Sequence, residues 1–324
     1  MKKMIPKLYA VCAACVVLLF LYISAVCGNE VMEKREKGGY RCLTEYETER
    51  VADKNAPAGI RNEYVIRITE MPPEGASLVF YTLHQKVEIS VDGELVYRLC
   101  PSTLNPFGKT PGSNWNWIPV YRSDIGKEIK VTLIPAYENT VDIVPEFYFG
   151  SRIDIWGKLL MRSTVPFLLS AVAMMIGIGF IVFTLYNYQK KDVDKSLLLL
   201  GIFSLIIGLW KLSDMEAMVL VFPFSLSLAY MPFVMLLLAV VPFVLYVREL
   251  FSTRDSKILD IPCVASIAVI LLSVVMQMFG IADLRQAVWM NHAVMISLIV
   301  IMISMLVYEL RKVGWNSRIK VLVV

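Results

Sequence analysis

The sequence predicts a membrane protein in which an α-helical multipass bundle carries an extracytoplasmic all-β domain of the sandwich or jelly-roll type. Of its 324 residues, 57% are apolar and 19% are charged. In soluble domains, about 45–50% of the residues are apolar and about 25% are charged. Residues 28–158 carry 16 Lys and Arg against 19 Asp and Glu, and the remainder carries 16 against 9. This division indicates one polar domain attached to a hydrophobic helical body, and it excludes a nucleic-acid-binding protein and a disordered chain.

The first element is an N-terminal transmembrane anchor at residues 1–27. Residues 8–27 contain no charge and follow three lysines, Lys2, Lys3 and Lys7. Twenty apolar residues are enough to cross the bilayer as a helix. A cleaved signal peptide is the alternative, but its apolar region is usually only about 7–15 residues long. We therefore expect an uncleaved anchor.

Residues 28–158 form the second element, a β-sandwich sensor domain. Alternating apolar and polar residues predict a strand at 63–69, and a run of strand-forming residues predicts one at 77–83. Residues 86–91 and 94–99 each place apolar side chains on one face, and 129–134 and 146–149 are further short strands, the last leading straight into the membrane. Asp92 and Gly93 are the two-residue signal for a tight hairpin turn between two of these strands. Short antiparallel strands separated by Gly and Pro turns favour a sandwich or a jelly roll.

Residues 105–119 read as a loop between strands that is rich in aromatic side chains. Trp115 and Trp117 are two residues apart, so in an extended segment they project to the same side. Together with Asn114 they are candidate ligand-binding residues, because paired indole rings can stack on a sugar ring. The alternative is that both rings pack onto the sandwich core or lie in the membrane interface, where Trp is enriched.

Motifs for catalysis and metal binding are missing from the sequence. It has two histidines, His84 and His292, and it lacks a nucleophile elbow, zinc-ligand spacing, a P-loop and a dinucleotide fingerprint. We therefore expect no enzyme activity, no catalytic residue, no metal and no cofactor. Cys42 and Cys100 lie in the same polar domain, where a disulfide is permitted, and the sequence leaves their pairing open.

The helical body, residues 159–324, contains five uncharged segments that predict spans at 163–188, 196–213, 225–247, 261–282 and 286–308. A further helix begins at 321 and is cut short, so we expect the chain to be a fragment. The connection near 283–285 is very short, which predicts that the two helices it joins are antiparallel neighbours. His292 lies inside the last complete span and is a candidate functional residue, the alternative being a neutral imidazole bonded to a neighbouring helix.

Charges in the loops predict the orientation in the cell membrane. With a cytoplasmic N-terminus, the inside segments 1–7, 189–195, 248–257 and 309–320 hold 13 Lys and Arg, and the short outside loops hold 2. By the positive-inside rule, this bias places residues 28–158 outside the cytoplasm.

The order of parts resembles the bacterial seven-transmembrane receptors with diverse intracellular signalling modules, and within them the N-terminal portion of membrane diguanylate cyclases. The segments that carry the resemblance are 91–97, 107–116, 135–139, 144–150, 201–203, 208–210 and 247–250. The resemblance implies an external jelly-roll sensor, a seven-helix body and a cytoplasmic output domain, often a GGDEF cyclase. This sequence has no GGDEF signature, since its one Gly-Gly pair, Gly38 and Gly39, is followed by Tyr40.

We therefore expect a transmembrane signal receptor, or its input module, that senses an extracellular ligand and relays it to an output domain missing from this chain. One alternative is a transporter or channel component, although the predicted spans contain no carboxylate at mid-membrane. A second is a membrane enzyme with its site at the outer face, using His292. The expected partners are the lipid bilayer, an unidentified extracellular ligand for which a carbohydrate is the first candidate, and a second copy of the chain. No nucleic acid is expected.

Overall fold

A computed structural model describes residues 40–70, 72, 74–100, 110–188, 195–222, 225–251 and 258–313. The predicted anchor at 1–27 and the predicted helix from 321 lie outside the described residues. Within them, a β-sandwich of two sheets is followed by apolar helices long enough to span a membrane. This arrangement confirms the predicted fold class.

Nine strands form the sandwich in the part of the chain that the structure describes. They are β1 (Tyr40–Leu43), β2 (Glu47–Ala52), β3 (Ile60–Arg67), β4 (Ala76–Leu83), β5 (Gln85–Val91), β6 (Glu94–Leu99), β7 (Ser113–Pro119), β8 (Glu128–Pro135) and β9 (Phe147–Ser151). Each of the six strands predicted from the sequence overlaps one of these. The sequence predicts neither β1 nor β2, and the prediction of a loop at 105–119 is wrong where β7 forms.

The strand order is that of a jelly roll with one added strand. Sheet A has the order β1-β9-β4-β7, and sheet B has the order β2-β3-β8-β5-β6, with antiparallel pairing throughout. Without β2, each sheet has four strands, and the strand order in the two sheets is the one that two Greek keys produce. β2 is a hairpin partner of β3 that extends the edge of sheet B.

Two tight corners set the register of this topology. His84 alone carries the chain from β4 in sheet A to β5 in sheet B, with φ at +55°. Its backbone N–H donates to the carbonyl of Gly112, and its carbonyl accepts from Ala136. At the next corner, Asp92 and Gly93 both have positive φ, as a type I′ turn requires, so the predicted hairpin between β5 and β6 is confirmed.

The core lies between the two sheets and is built from the inward residues of each strand. Its largest fully buried side chains include Tyr64 of β3, Phe80 of β4 and Phe147 of β9, whose rings pack in tilted pairs about the Phe147 ring. Ile89 and Leu133 supply aliphatic contacts from sheet B. Burying side chains of this size contributes about 1.5–3 kcal/mol each, which is the main stabilisation of the sandwich.

The outer face of sheet B is charged. Glu63 lies between Arg61 and Lys130, with carboxylate oxygens 2.9 Å from Nε of Arg61 and 2.7 Å from Nζ of Lys130. Farther along the face, Arg98 pairs with Glu88 at 2.8 Å. Such a face is suited to water, so nothing else needs to cover sheet B.

Seven α-helices follow within the described residues: α1 (Arg152–Arg162), α2 (Thr164–Tyr188), α3 (Lys195–Ser213), α4 (Glu216–Val221), α5 (Ser225–Phe251), α6 (Asp260–Met278) and α7 (Leu284–Val313). All except α1 and α4 are long and apolar enough to cross a membrane. The expectation that β9 leads straight into the membrane is wrong, because α1 intervenes. The start of α5 at Ser225 agrees with the predicted span.

Two compact units divide the chain. The first contains the sandwich, α1, α4 and the first turns of α2 and α5; the second contains the remaining parts of the apolar helices. The segment 212–231, which the sequence reading assigned to the helical body, groups with the sandwich by its contacts.

Glycines bring α2 and α3 into close contact within the second unit. A Cβ added to Gly177 would lie 2.6 Å from the backbone N of Leu205 and 2.7 Å from the carbonyl O of Gly201. One added to Gly208 would lie 2.9 Å from the carbonyl O of Ser170. Small residues are enriched at such interfaces in membranes, because they let two helix backbones approach.

The helices α5, α6 and α7 share a second apolar cluster. It includes Val244 and Val247 of α5, Leu259 beside α6, and Leu298 and Met305 of α7. The start of α6 packs against the end of α7, so the two helices are antiparallel neighbours, as the short connection predicts. Gly280, with φ at +65°, turns the chain at the end of α6.

The contact between α2 and α3 gives a testable prediction. We expect Gly177→Ala to destabilise the purified protein by about 1–3 kcal/mol, because the added methyl meets backbone atoms of α3 that cannot rotate away. Thermal unfolding in detergent micelles measures this change. The matched control is Gly179→Ala, which lies about 200° around α2. The control should be neutral or slightly stabilising, as Ala is a better helix former than Gly; equal losses in both variants would contradict the close contact.

Candidate functional site at the aromatic face of sheet A

The outer face of sheet A is apolar and aromatic, unlike that of sheet B. Side chains that point away from the core come from four strands, and we call this surface the aromatic face: Tyr40 of β1, Val79 and Tyr81 of β4, Trp115 and Trp117 of β7, and Tyr148 of β9. Trp115 and Trp117 lie on the same side of β7, as their spacing predicts. Because both faces of sheet A are apolar, its outer face also needs a cover.

Helix α1 supplies the first part of that cover. Ile155 and Leu159, four residues apart on one side of α1, are buried against the aromatic face. The helix runs antiparallel to β9, since it starts beside the end of that strand and finishes where Arg162 pairs with Glu146 at 3.4 Å. The 11 residues of α1 therefore fold back along the sheet before α2 begins.

Cations on α1 lie over aromatic rings of the face. Nζ of Lys158 is 4.3 Å from the centre of the Tyr148 ring and 5.1 Å from that of Tyr40. The guanidinium of Arg152 is 5.3 Å from the Trp117 ring. Cation–π contacts of this kind contribute about 0.5–1 kcal/mol where exposed and more where water is excluded. They fix the direction of α1 on the sheet.

Helix α4, from the connection between α3 and α5, supplies the second part of the cover. Val219 and Leu220 pack against the aromatic face, and the indole N–H of Trp115 donates to the carbonyl O of Glu216 at 3.1 Å. Trp115 itself is 8% exposed. The sequence analysis begins the span at 225 but predicts no helix for the residues before it; Glu216 at the start and Pro223 after the end are the sequence signals that mark α4.

Two carboxyl groups at this junction have shifted pKa values of opposite sign. A hydrogen bond from the Tyr148 hydroxyl and the nearby Arg162 hold the pKa of Glu146 below its usual value. Burial raises the pKa of Glu216, which Asp214 and Glu146 raise further and Arg162 lowers. The carboxyl of Glu216 is therefore easier to protonate than an ordinary glutamate.

Asn114 belongs to the opposite side of β7 from the two tryptophans, because alternate residues of a strand face opposite ways. On that inner side, Asn116 is fully buried: its Nδ2 donates to Oγ1 of Thr82 at 3.0 Å, and its Oδ1 accepts from the Tyr97 hydroxyl at 3.0 Å. The predicted trio is thus divided between two faces. Asn116, which sequence reasoning missed, links sheet A to sheet B.

Further buried amides hold the segment after β8. Nδ2 of Asn62 donates to the carbonyl of Val141 at 2.7 Å, and Nε2 of Gln85 donates to the carbonyl of Thr140 at 3.0 Å. Beside them, Nδ1 of His84 is 2.8 Å from Oγ1 of Thr110. These polar side chains occupy inward positions at one end of the sandwich. Their contacts give them a structural role.

The thiols of Cys42 and Cys100 are both free and exposed in the structure. Cys42 is on β1, at one edge of sheet A, and Cys100 follows β6, at one edge of sheet B. Residues next to β1 pack against β3, whereas β6 is bonded to β7. The two strands are therefore at opposite sides of the sandwich, and no disulfide joins these cysteines.

His292 lies on the exposed side of α7, whereas its neighbour Asn291 is buried on the side that faces α5. Nδ2 of Asn291 donates to the carbonyl of Leu236 in α5 at 3.4 Å, and its side chain is 1% exposed. The buried residues of α7 include Leu284, Ala287, Val288, Asn291, Leu298 and Met305. Asn291 is seven residues from both Leu284 and Leu298, so the sequence places it on their apolar side of the helix, unlike His292.

The aromatic face joins the sandwich to α1 and α4 by packing and hydrogen bonds. Among the residues that the structure describes, no three His, Cys, Asp or Glu side chains come together as metal ligands. No protein-family model matches the chain, and no curated protein matches it.

The bond between Trp115 and α4 gives a second prediction. Trp115→Phe keeps an aromatic ring on the face but removes the indole N–H that pairs with the carbonyl of Glu216. We expect the attachment of α4 to weaken by about 1 kcal/mol, which corresponds to about fivefold faster amide exchange in residues 216–221. Hydrogen–deuterium exchange mass spectrometry of the full chain in detergent measures this.

The matched control is Trp117→Phe, which changes the same residue type on the same strand. Trp117 contacts Arg152 of α1 and has no described hydrogen bond to α4. Exchange in residues 216–221 should stay at the native rate in this variant. Equal acceleration in both variants, or in neither, would show that the indole bond does not hold α4.

Proposed function

We propose that this chain is the input module of a transmembrane signal receptor, in which the sandwich senses an extracellular ligand and the helices carry the response across the membrane. One observation carries the proposal: the aromatic face of the sandwich is covered by α1, which runs directly into the candidate span α2, and by α4, which connects the candidate spans α3 and α5. A displacement of sheet A therefore acts on both connections at once.

The contact between α4 and β7 supports the number of spans on which the orientation depends. Two candidate spans, α2 and α3, separate α1 from α4 along the chain, so two crossings return the chain to the side from which it started. Because α4 packs on the same sandwich as α1, both helices must lie on the same side of the membrane, as two crossings require. Together with the loop charges, this supports a cytoplasmic N-terminus and a sandwich outside the cytoplasm.

The contacts that Trp115 makes with α4 suggest how a ligand would act. Its indole is covered by α4 and bonded to Glu216. A sugar ring stacking on Trp115 would have to displace α4, and stacking on Trp117 would compete with Arg152 of α1. Either event would change the cover of sheet A. We therefore keep carbohydrate as the ligand class, with Trp115 and Trp117 as the residues that couple binding to helix movement.

The output is proposed on the resemblance alone. The segments 91–97 and 107–116 are among those similar to membrane diguanylate cyclases with seven-transmembrane input modules. We propose that this chain relays its signal to a cytoplasmic domain of that class, carried outside the 324 residues, and that it acts as a homodimer.

The free thiols of Cys42 and Cys100 provide a direct test of the orientation. With the sandwich outside, a membrane-impermeant maleimide applied to intact cells should label both thiols, because both are exposed. The test uses the full chain with its four other cysteines replaced by alanine: Cys12, Cys15, Cys27 and Cys263. A gel-shift maleimide reports the number of labels per chain.

Two controls make this experiment decisive. Cys42→Ser combined with Cys100→Ser should abolish labelling. In that background, Lys195→Cys, at the start of α3 in a predicted cytoplasmic loop, should be labelled only after permeabilisation. Labelling of Cys42 and Cys100 only after permeabilisation would overturn the extracytoplasmic assignment and the receptor proposal with it.

The sensing role is tested with the full chain in lipid nanodiscs and a panel of probes: glucose, galactose, mannose, cellobiose and chitobiose. We expect at least one sugar to change amide exchange in both α1 and α4, and Trp115→Phe to reduce the change. Proteoliposomes loaded with the same radiolabelled sugars measure flux. Flux without a change in α1 and α4 would favour a transporter, and no binding by any sugar would contradict the carbohydrate assignment.

A further inference from the structure

A cavity opens between the ends of three helices in the second unit. It has a volume of about 420 Å³ and is lined by Leu198 and Leu199 of α3, Leu245 of α5, and the charged residues Lys195, Arg248 and Glu249. At its rim, Leu185 of α2 is 59% exposed, so the cavity is open to the outer surface of the helices. Its wall is therefore apolar and its charges lie at one end.

The position of these charges matches the boundary of the membrane. Lys195 is the first residue of the candidate span Lys195–Ser213, and Arg248 is next to the last residue of Ser227–Glu249. Thr184, also in the lining, lies in the final turn of the span Thr164–Asn187. The charged end of the cavity is thus at the depth of lipid headgroups, and the leucines lie at the depth of acyl chains.

The charge favours an anionic occupant. Lys195 and Arg248 are the two cations of the lining, and Glu249 is its one carboxylate. Arg248 also pairs with Asp260 at 2.9 Å, which holds its guanidinium at the start of α6 and offsets part of its charge, so Lys195 supplies most of the attraction for an anion. Basic pockets between membrane helices bind the headgroups of anionic lipids, each Lys or Arg contributing about 1 kcal/mol near the surface. A free phosphate ion would gain nothing from the leucine wall.

We propose that this cavity binds one anionic phospholipid, with its phosphate between Lys195 and Arg248 and an acyl chain along Leu198, Leu199 and Leu245. The site is independent of the proposed receptor function. It joins the α2–α3 pair to the end of α5, so a bound lipid fills the gap between helices that the glycines do not close.

The experiment uses the purified full chain in detergent and native mass spectrometry with three probes: phosphatidylglycerol, phosphatidylcholine and inorganic phosphate. We expect phosphatidylglycerol to bind more tightly than phosphatidylcholine. Lys195→Gln should weaken phosphatidylglycerol binding about fivefold and Arg248→Gln should weaken it less, while phosphatidylcholine binding stays the same. Leu199→Phe, which fills the cavity and keeps its charge, should reduce the binding of phosphatidylglycerol.

The matched control is Lys211→Gln, which removes the same charge at the other end of α3 and should leave binding unchanged. Circular dichroism of each variant confirms that its helices are intact. Equal affinity for the two lipids, or an equal loss in the Lys211→Gln control, would overturn the site. Binding of inorganic phosphate that prevents binding of phosphatidylglycerol and survives Leu199→Phe would show a free-anion site and overturn the lipid assignment.

Discussion

Sheet A is apolar on both of its faces, and this constraint determines how sheet B, α1 and α4 pack around it. Its inner face is covered by sheet B, whose own outer face is charged and needs no cover. Its outer face is covered by α1 and α4, which belong to connections with candidate membrane spans. A soluble sandwich would expose polar residues at these positions. The aromatic face therefore packs against two segments, α1 and α4, that are continuous in sequence with candidate membrane spans.

Much of the fold was predictable, since the signals are local. Alternation and strand-forming residues identified six strands, and Asp92 with Gly93 fixed one hairpin, because a type I′ turn needs positive φ at both positions. Hydropathy identified the five described helices that are long and apolar enough to cross a membrane. Helix α1 was missed because it is defined by tertiary packing: Ile155 and Leu159 face a sheet that the sequence alone does not assemble.

The candidate site was predictable only in part. The spacing of Trp115 and Trp117 correctly placed them on one side of a strand, but nothing local indicated that α4, about a hundred residues later, would bond to Trp115. Asn116 stands at an inward position where an apolar residue is expected, and its partners come from both sheets. Inside the helices, the choice between Asn291 and His292 depended on a seven-residue repeat rather than on residue type.

The antiparallel course of α1 along β9 has a mechanical consequence. Tension applied to the chain at Arg162, along the axis of α1, loads the contact in shear, so Ile155, Leu159 and Lys158 must all give way together. A force directed away from the sheet would instead peel the helix off one turn at a time, starting at the pair of Arg162 and Glu146. The junction is consequently stiff to pulling along the helix and compliant to lifting.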